Sequence, residues 1–222
     1  MCIRDRTDGG FSNGLFNSFV VVFGVVSVTI FCSTLAAYAF EKLDIFGVTP
    51  LFALLLIGLV LPYESIVISL YYTMKTYNLT NTYWALILPQ IGLSIPFSIF
   101  WLRASFKAIP ISLSEAAMIE GAGRITILTK ILIPQMIPAI LTLTVLLFMW
   151  TWNEFLLALI MIQDADMRTA PLALSYFAGN KRYGDPAITA AAAIWVALPV
   201  LIMYIFLQRR FISGMVTGAV KE

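Results

Sequence analysis

Few residues of this 222-residue chain have side chains that could do chemistry, and their types exclude most enzymatic sites. The sequence has no histidine, and its two cysteines, Cys2 and Cys32, lie far apart. Neither a disulfide framework nor a cysteine–histidine metal site can be built from them, so no metal or other cofactor is expected. What remains are two acids inside apolar runs, Glu64 and Glu154, and one polar segment, residues 114–134.

The two acids lie where a charge is costly. Glu64 follows Pro62, and Glu154 comes two residues after Trp152, each within a long apolar stretch. Ionisable groups at such a depth usually face a cavity or a partner rather than lipid. One interpretation makes them the lining of a polar cavity. In the other, each acid is a packing anchor that hydrogen-bonds freed backbone groups, such as the Gly58 carbonyl below Pro62, or lies at the aqueous rim.

The polar segment, together with the residues just before it, carries the signals of a short helix. In AIPISLSEAAMIEGAG, Pro110 lies near the start, Ser112 and Glu115 have the spacing of a capping box, and Gly121 with Gly123 would end the helix. A helix of about ten residues is marginal in water, so this one should need a partner surface. Helical spacing puts four residues on one face, rich in small side chains: Leu113, Ala116, Ala117 and Glu120.

The second half of the segment, RITILTKILIP, predicts an interfacial helix that returns to the bilayer. Ile125, Leu128 and Leu132 would share one side, and Pro134 and Pro138 would bend the helix where it enters. The simplest alternative for the whole segment is a plain amphipathic helix that lies on the headgroups and only joins two spans.

These residues must be positioned by membrane helices. Hydrophobic residues make up 60% of the chain and charged residues 12%, and the mean hydropathy is +0.91. Long apolar runs do not alternate as strands do, so the sequence predicts an all-α, polytopic helical bundle. Five stretches are long enough to cross a bilayer: Leu15–Phe40, Val48–Tyr72, Tyr83–Leu102, Ile137–Ile162 and Ala187–Leu207.

Charge predicts how this bundle is oriented. Five spans place the two chain ends on opposite sides, and the side that holds residues 103–136 carries eight basic residues against six. The positive-inside rule therefore puts that segment and the C-terminus in the cytoplasm. Residues 1–10 match no structural pattern and are expected to be a non-native or disordered head, with a single transmembrane domain over 11–222. The net charge of +2 is too small to suggest nucleic-acid binding.

The polar segment resembles a known signature. Residues 115–117, Glu-Ala-Ala, precede Gly121 by three residues, and Ile131 to Pro134 follow after nine more. This pattern resembles the EAA loop of the membrane subunits of ATP-binding-cassette importers, although that family usually has leucine where this chain has Ile133. Further stretches resemble its carbohydrate-uptake, maltose-permease-like branch: NSFVVVFGVVSVTIFCSTLAAYAFEK, NLTNTYWALILPQI, FLLALIMIQDADMRTAPLAL and RRFISGMVTGAVKE.

The resemblance implies a type I importer (MetI-like) permease fold, usually with six spans, so an N-terminally truncated chain is expected. It also implies a transport subunit rather than an enzyme, because the chain contains no phosphate-binding loop and a partner must hydrolyse ATP. In that family the EAA helix docks in a groove of a cytoplasmic ATPase dimer. The residues that would take this role are Glu115, Ala116, Ala117, Met118, Ile119 and Gly121.

The resemblance further implies a sugar path and additional partners. Four residues would line the outer part of the path, with the indole ring available for stacking: Glu64, Trp152, Asn153 and Glu154. The tip of the external segment would contact an extracellular or periplasmic sugar-binding protein, or would be an ordinary surface loop: Ala178, Gly179, Asn180, Lys181 and Arg182. A second permease subunit would complete a heterodimer in membrane lipid.

Two functions from other classes stay open at this point. In an ion-coupled secondary transporter, Glu64 and Glu154 would be the coupling carboxylates, but such a protein needs no cytoplasmic EAA helix. A non-transporting membrane scaffold would need neither acid.

Overall fold

A computed structural model describes residues 11–43, 45–60, 62–179 and 186–219, with the backbone alone at 11, 177–179, 188 and 206–219. All regular structure in these residues is helical, which confirms the predicted all-α fold. The helices are α1 (Phe11–Lys42), α2 (Val48–Val60), α3 (Val67–Thr76), α4 (Tyr83–Ala108), α5 (Ile111–Ile119), α6 (Arg124–Trp152), α7 (Leu156–Met161), α8 (Ala170–Gly179) and α9 (Pro186–Ala219).

Among the described residues, three helices are long and apolar enough to cross a membrane. These are α1, α4 and α6, and they correspond to three of the five predicted spans. Shorter apolar helices cover Val48–Val60 and Thr189–Ile205, which lie in the other two predicted spans. Several hydroxyl groups in the long helices donate to the carbonyl four residues earlier, as Ser98 does to Ser94 and Thr142 to Pro138. Such bonds satisfy polar side chains where no water is available.

The predicted span Val48–Tyr72 is not a single helix. Helix α2 ends at Val60, Pro62 has an extended backbone, and a 3-10 turn over Tyr63–Ser65 precedes α3. Proline has no N–H for a helical hydrogen bond and disfavours helical geometry in the residue before it. Glu64 therefore lies in a turn between two short helices rather than inside a continuous one.

The described residues form two compact units. The first combines residues 11–27, 62–92 and 146–206, without 180–185. Its core contains large side chains that are almost fully buried: Leu86, Leu147, Trp152, Leu157, Met161 and Leu172. The second combines residues 28–60, 93–145 and 207–219, without 44, and buries Leu102, Phe106, Leu132, Met136 and Leu143. The candidate path residues lie in the first unit and the candidate docking helix in the second.

In the first unit a buried asparagine fixes the segment between α7 and α8. The Asn17 side-chain amide donates to the Asp166 carbonyl at 2.7 Å and to the Arg168 carbonyl at 2.9 Å. Its amide oxygen accepts from the Tyr83 hydroxyl at 2.8 Å. The neighbouring Ser18 hydroxyl accepts from the N–H of Ala170, the first residue of α8, at 2.8 Å. The start of α8 is thus held by side chains of α1.

Candidate functional site

The short helix α5 begins at a proline. Pro110 is its N-cap, with φ of −56° and ψ of 135°, and none of the described side chains caps the helix. The predicted capping box of Ser112 and Glu115 is therefore wrong. The fixed φ of proline starts the helix at Ile111, so Ser112 already lies inside the first turn and cannot be the N-cap.

The predicted end of α5 at glycine is confirmed. Gly121 has a φ of +83°, in the left-handed region that favours glycine. The Gly121 N–H donates to the Met118 carbonyl at 3.0 Å, and the Ala122 N–H donates to the Ala117 carbonyl at 2.9 Å. These two bonds form a Schellman motif, which satisfies carbonyls that the helix end would otherwise leave unpaired. The helix has a defined C-terminal end that does not depend on a partner.

Most of α5 faces outward. Ser114 is buried and Ala117 is half-buried, whereas Glu115, Ala116 and Gly121 are exposed. Ile119 is 86% exposed and Met118 is 53% exposed. The predicted face of Leu113, Ala116, Ala117 and Glu120 is therefore split, because its Ala117 edge turns toward the protein. The outward face is centred on Ser112, Glu115, Ala116 and Ile119.

The segment after the glycines is part of a span, not a separate interfacial helix. Helix α6 runs from Arg124 to Trp152, and residues Ile127–Leu132 form a π-helical turn inside it, against which α5 packs. Leu128 and Leu132 are buried, but Ile125 is 79% exposed, so the prediction that all three share one side is wrong. The prediction assumed regular α-helical spacing, whereas the structure has a π turn beginning two residues after Ile125.

The second candidate site is the break between α6 and α7. Helix α6 ends at Trp152 and α7 begins at Leu156, which leaves Asn153 and Glu154 outside both helices. The Glu154 carboxylate accepts from the Leu157 N–H at 2.8 Å. The Asn153 side-chain amide is exposed and donates to the Met149 carbonyl at 2.7 Å. Glu154 thus binds a backbone N–H that the start of a helix leaves free, as the anchor interpretation requires.

Tyr63, which residue pattern alone did not single out, lies near both acids. The Tyr63 phenol lies close enough to Glu154 and Glu64 for the charges of both carboxylates to act on it. Glu64 itself is exposed. The helix breaks at 62–66 and 153–155 are therefore brought together within the first unit. The available signal was a phenol placed directly between Pro62 and Glu64 in the sequence.

Trp152 is buried in this conformation. It is 1% exposed, and its indole N–H donates to the Val196 carbonyl at 3.0 Å. The ring stacks on Phe148 with centroids 5.5 Å apart, and the Phe19 ring lies edge-on at 4.9 Å. No open ring face is presented to a sugar here, because these aromatic side chains and the protein core surround it. The indole orders the end of α6.

Only part of the predicted external tip falls in the described residues. Ala178 and Gly179 are the last two residues of α8, so their backbone is helical rather than part of a loop. Asn180, Lys181 and Arg182 lie outside the described residues. In the described part of the chain, no cluster of three or more acidic or cysteine side chains comes together in a way that could hold a metal ion.

Comparisons with known proteins agree with this architecture. Residues 15–215 match the family described as "Binding-protein-dependent transport system inner membrane component". The sulfoquinovosyl glycerol transport system permease protein SmoH of Agrobacterium fabrum is 35% identical, over 93% of this chain and 72% of SmoH. The trehalose/maltose transport system permease protein MalG of Thermococcus litoralis is 34% identical, over 93% of this chain and 74% of MalG.

Solved structures share the fold. A chain of a bacterial ABC transporter that imports the acidic polysaccharide alginate superposes with a TM-score of 0.73, at 24% identity, over 91% of this chain and 75% of that one. A chain of the methionine ABC transporter MetNI in an inward-facing conformation gives a TM-score of 0.65, at 16% identity, over 96% and 95%. These likenesses confirm the predicted type I permease fold. The chain belongs to the family of inner membrane components of binding-protein-dependent transport systems, the multi-pass permease subunits of ABC transporters, which are not themselves enzymes.

Proposed function

We propose that this chain is the permease subunit of an ATP-driven importer of a mono- or oligosaccharide and forms half of its translocation path. The relatives named above belong to systems for sulfoquinovosyl glycerol and for trehalose and maltose. A trehalose system permease, SugB of Mycobacterium tuberculosis, is 32% identical over 95% of this chain. Membership of a binding-protein-dependent family disfavours the ion-coupled secondary transporter.

The observation that carries the coupling role is the outward face of α5. Three apolar side chains of this nine-residue helix, Ile111, Met118 and Ile119, are exposed together, and a cluster of exposed apolar side chains marks an interaction surface. Ala116, on the same outward face as Ile119, lets another backbone approach closely. We therefore assign α5, with Glu115 at the centre of this face, to docking in a groove of a cytoplasmic ATPase. ATP-driven closure of the ATPase dimer would then move the permease helices.

We also propose an orientation for the chain and two further partners. With α5 in the cytoplasm, the C-terminus is cytoplasmic as well, in agreement with the distribution of basic residues. The external tip, from Ala178 to Arg182, then lies on the extracellular or periplasmic side of the membrane, where a sugar-binding protein delivers substrate. A second permease subunit, as a heterodimer partner, would supply the other half of the path.

The two helix breaks of the first unit, at residues 62–66 and 153–155, are the part of this chain that we assign to the sugar path. Glu64 and Asn153 are exposed, so their polar groups are available to a polyhydroxylated substrate. The Glu154 carboxylate is held by the Leu157 N–H, and the Tyr63 phenol lies near it. Trp152 would contribute by ordering the end of α6 in this conformation.

The test of the docking role is a charge reversal on α5. Glu115→Lys changes the exposed docking face without touching a buried residue, so the protein should insert and fold, whereas co-purification of the ATPase should be lost. Lys107→Glu is the matched control, since Lys107 is also exposed and lies outside α5. If Glu115→Lys retains the ATPase as well as the control does, the docking assignment is wrong.

The sugar class is tested by transport. The chain is reconstituted in proteoliposomes with its ATPase, second permease and binding protein, and labelled maltose, trehalose and arabino-oligosaccharides are supplied with ATP inside. Uptake of at least one sugar, dependent on both ATP and the binding protein, is expected. Uptake driven by an ion gradient without ATP would instead support the secondary transporter.

A further inference from the structure

The C-terminal end of α1 holds both ends of the docking segment, which we define as residues 109–123 between α4 and α6. Tyr38 and Lys42 are four residues apart and therefore lie on one face of α1. The Lys42 ammonium donates to the Ile109 carbonyl at 2.9 Å, just before α5. The Tyr38 hydroxyl donates to the Arg124 carbonyl at 3.5 Å, just after the docking segment.

The same face of α1 also fixes the last turns of α4. Glu41 accepts from the Arg103 guanidinium at 2.8 Å, and both side chains are largely shielded from solvent. The guanidinium lies 4.2 Å above the Phe52 ring of α2. The Tyr38 ring lies 5.9 Å from that of Phe106, which is fully buried. We name Tyr38, Glu41 and Lys42 the α1 clamp.

The Lys42 hydrogen bond is made where the backbone beside the docking segment lacks continuous helical hydrogen bonding. Helix α4 ends at Ala108, and Pro110 follows Ile109, so no helical hydrogen bonds continue across residues 109–110. The Ile109 carbonyl would be left without a partner as a terminal group of α4. A charged donor makes one of the stronger protein hydrogen bonds with such a carbonyl, and it limits rotation at this joint.

We propose that the α1 clamp is a positioning element, in which Lys42 makes α1 move together with α5 when the ATPase moves α5. This inference rests on the proposed docking role of α5. Without the Lys42 bond, the joint at 109–110 would absorb part of the movement, and the docking segment would shift without α1. The clamp residues lie in the second unit, whereas the proposed path residues lie in the first, so we assign the clamp to coupling.

The test uses the complete complex of permeases and ATPase in lipid nanodiscs, with MgATP as the probe. A permease that resists movement keeps ATP hydrolysis slow when no sugar is bound. Lys42→Met should release this restraint and raise the kcat of sugar-free hydrolysis about fivefold, the lower end of ordinary coupling energies, because Lys42 is only half-buried. The KM for MgATP should not change, since the nucleotide site is untouched.

Two variants make the result specific. Lys42→Arg keeps a charged donor and should restore slow hydrolysis. Lys107→Met removes an exposed lysine of α4 that makes no hydrogen bond or ion pair with other described residues, and should behave as wild type.

The outcomes separate this inference from the docking proposal. Unchanged sugar-free hydrolysis in Lys42→Met overturns the clamp while leaving docking intact. Loss of ATPase co-purification in Lys42→Met also overturns it, because Lys42 would then maintain the fold rather than coupling. Failure of the wild-type chain to bind any ATPase would overturn the docking proposal itself.

Discussion

Replacing Asn17 by alanine should destabilise the first unit strongly. The side chain is 3% exposed and makes three hydrogen bonds, two as donor to the Asp166 and Arg168 carbonyls and one as acceptor from Tyr83. Asn17→Ala leaves all three partners unpaired. An orphaned polar group costs about 1 to 3 kcal/mol. The lower figure applies to each of the three partner groups because the segment around Asp166 is open to water, so the total cost is about 3 kcal/mol.

A small gain opposes this loss. Alanine is a better helix former than asparagine by about 0.6 kcal/mol, so the net destabilisation expected is about 2 to 3 kcal/mol. Unfolding of the purified protein in mixed detergent micelles, followed by tryptophan fluorescence, measures it, since Trp152 is buried in the same unit. Asn13→Ala is the matched control, because Asn13 is an exposed asparagine one turn earlier on α1.

A double-mutant cycle makes the reasoning refutable. Tyr83→Phe removes one donor to Asn17 and should cost about 1 kcal/mol. In the double variant the two costs should not add, because the Tyr83 hydroxyl is already unpaired once Asn17 is gone, and the coupling should be about 1 kcal/mol. Additive costs, or an Asn17→Ala variant as stable as Asn13→Ala, would show that the hydrogen bonds do not hold this segment.

Two further predictions concern the candidate sites. Gly121→Ala forces an alanine into a left-handed conformation at a cost of about 1 kcal/mol, so amide hydrogen exchange in α5 should become about fivefold faster. Gly123 has a φ of −72°, so the control variant Gly123→Ala should leave the exchange rate unchanged. Equal exchange in the two variants would refute the role of the turn. Glu154→Gln keeps an oxygen that can accept from Leu157, so assembly should survive, but sugar uptake should fall because the negative charge is lost; undiminished uptake would leave Glu154 as an anchor only.

The sequence predicted the parts of the fold that depend on local signals. The apolar runs located α1, α4 and α6, and the glycine at 121 located the end of α5. The sequence-based prediction failed where the position of a side chain depends on distant residues or on an irregular helix. The π turn at Ile127–Leu132 moved Ile125 to the surface, and a proline rather than Ser112 set the start of α5.

The candidate path was predicted from residue types, from their positions in apolar runs and from the resemblance, without knowledge of how the helices pack. Trp152 was chosen for its ring, but Phe148, Phe19 and the Val196 carbonyl enclose it. Tyr63 was overlooked because its partner, Glu154, lies 91 positions later in the sequence. Long-range pairing of this kind follows from how helices pack, and periodicity within a single stretch contains no information about it.

The two ends of the docking segment differ in stiffness, and this difference explains why the strongest bond from α1 is made at one of them. On the α6 side the helix is continuous from Arg124 through the π turn into the span, so a displacement of α5 passes directly into α6. The Tyr38 contact there is long, at 3.5 Å. On the α4 side the chain has a joint at Ile109 and Pro110, and the charged Lys42 donor lies there at 2.9 Å. A restraint is needed only where the backbone could otherwise rotate, so loss of Lys42 should affect coupling more than loss of the Tyr38 hydroxyl.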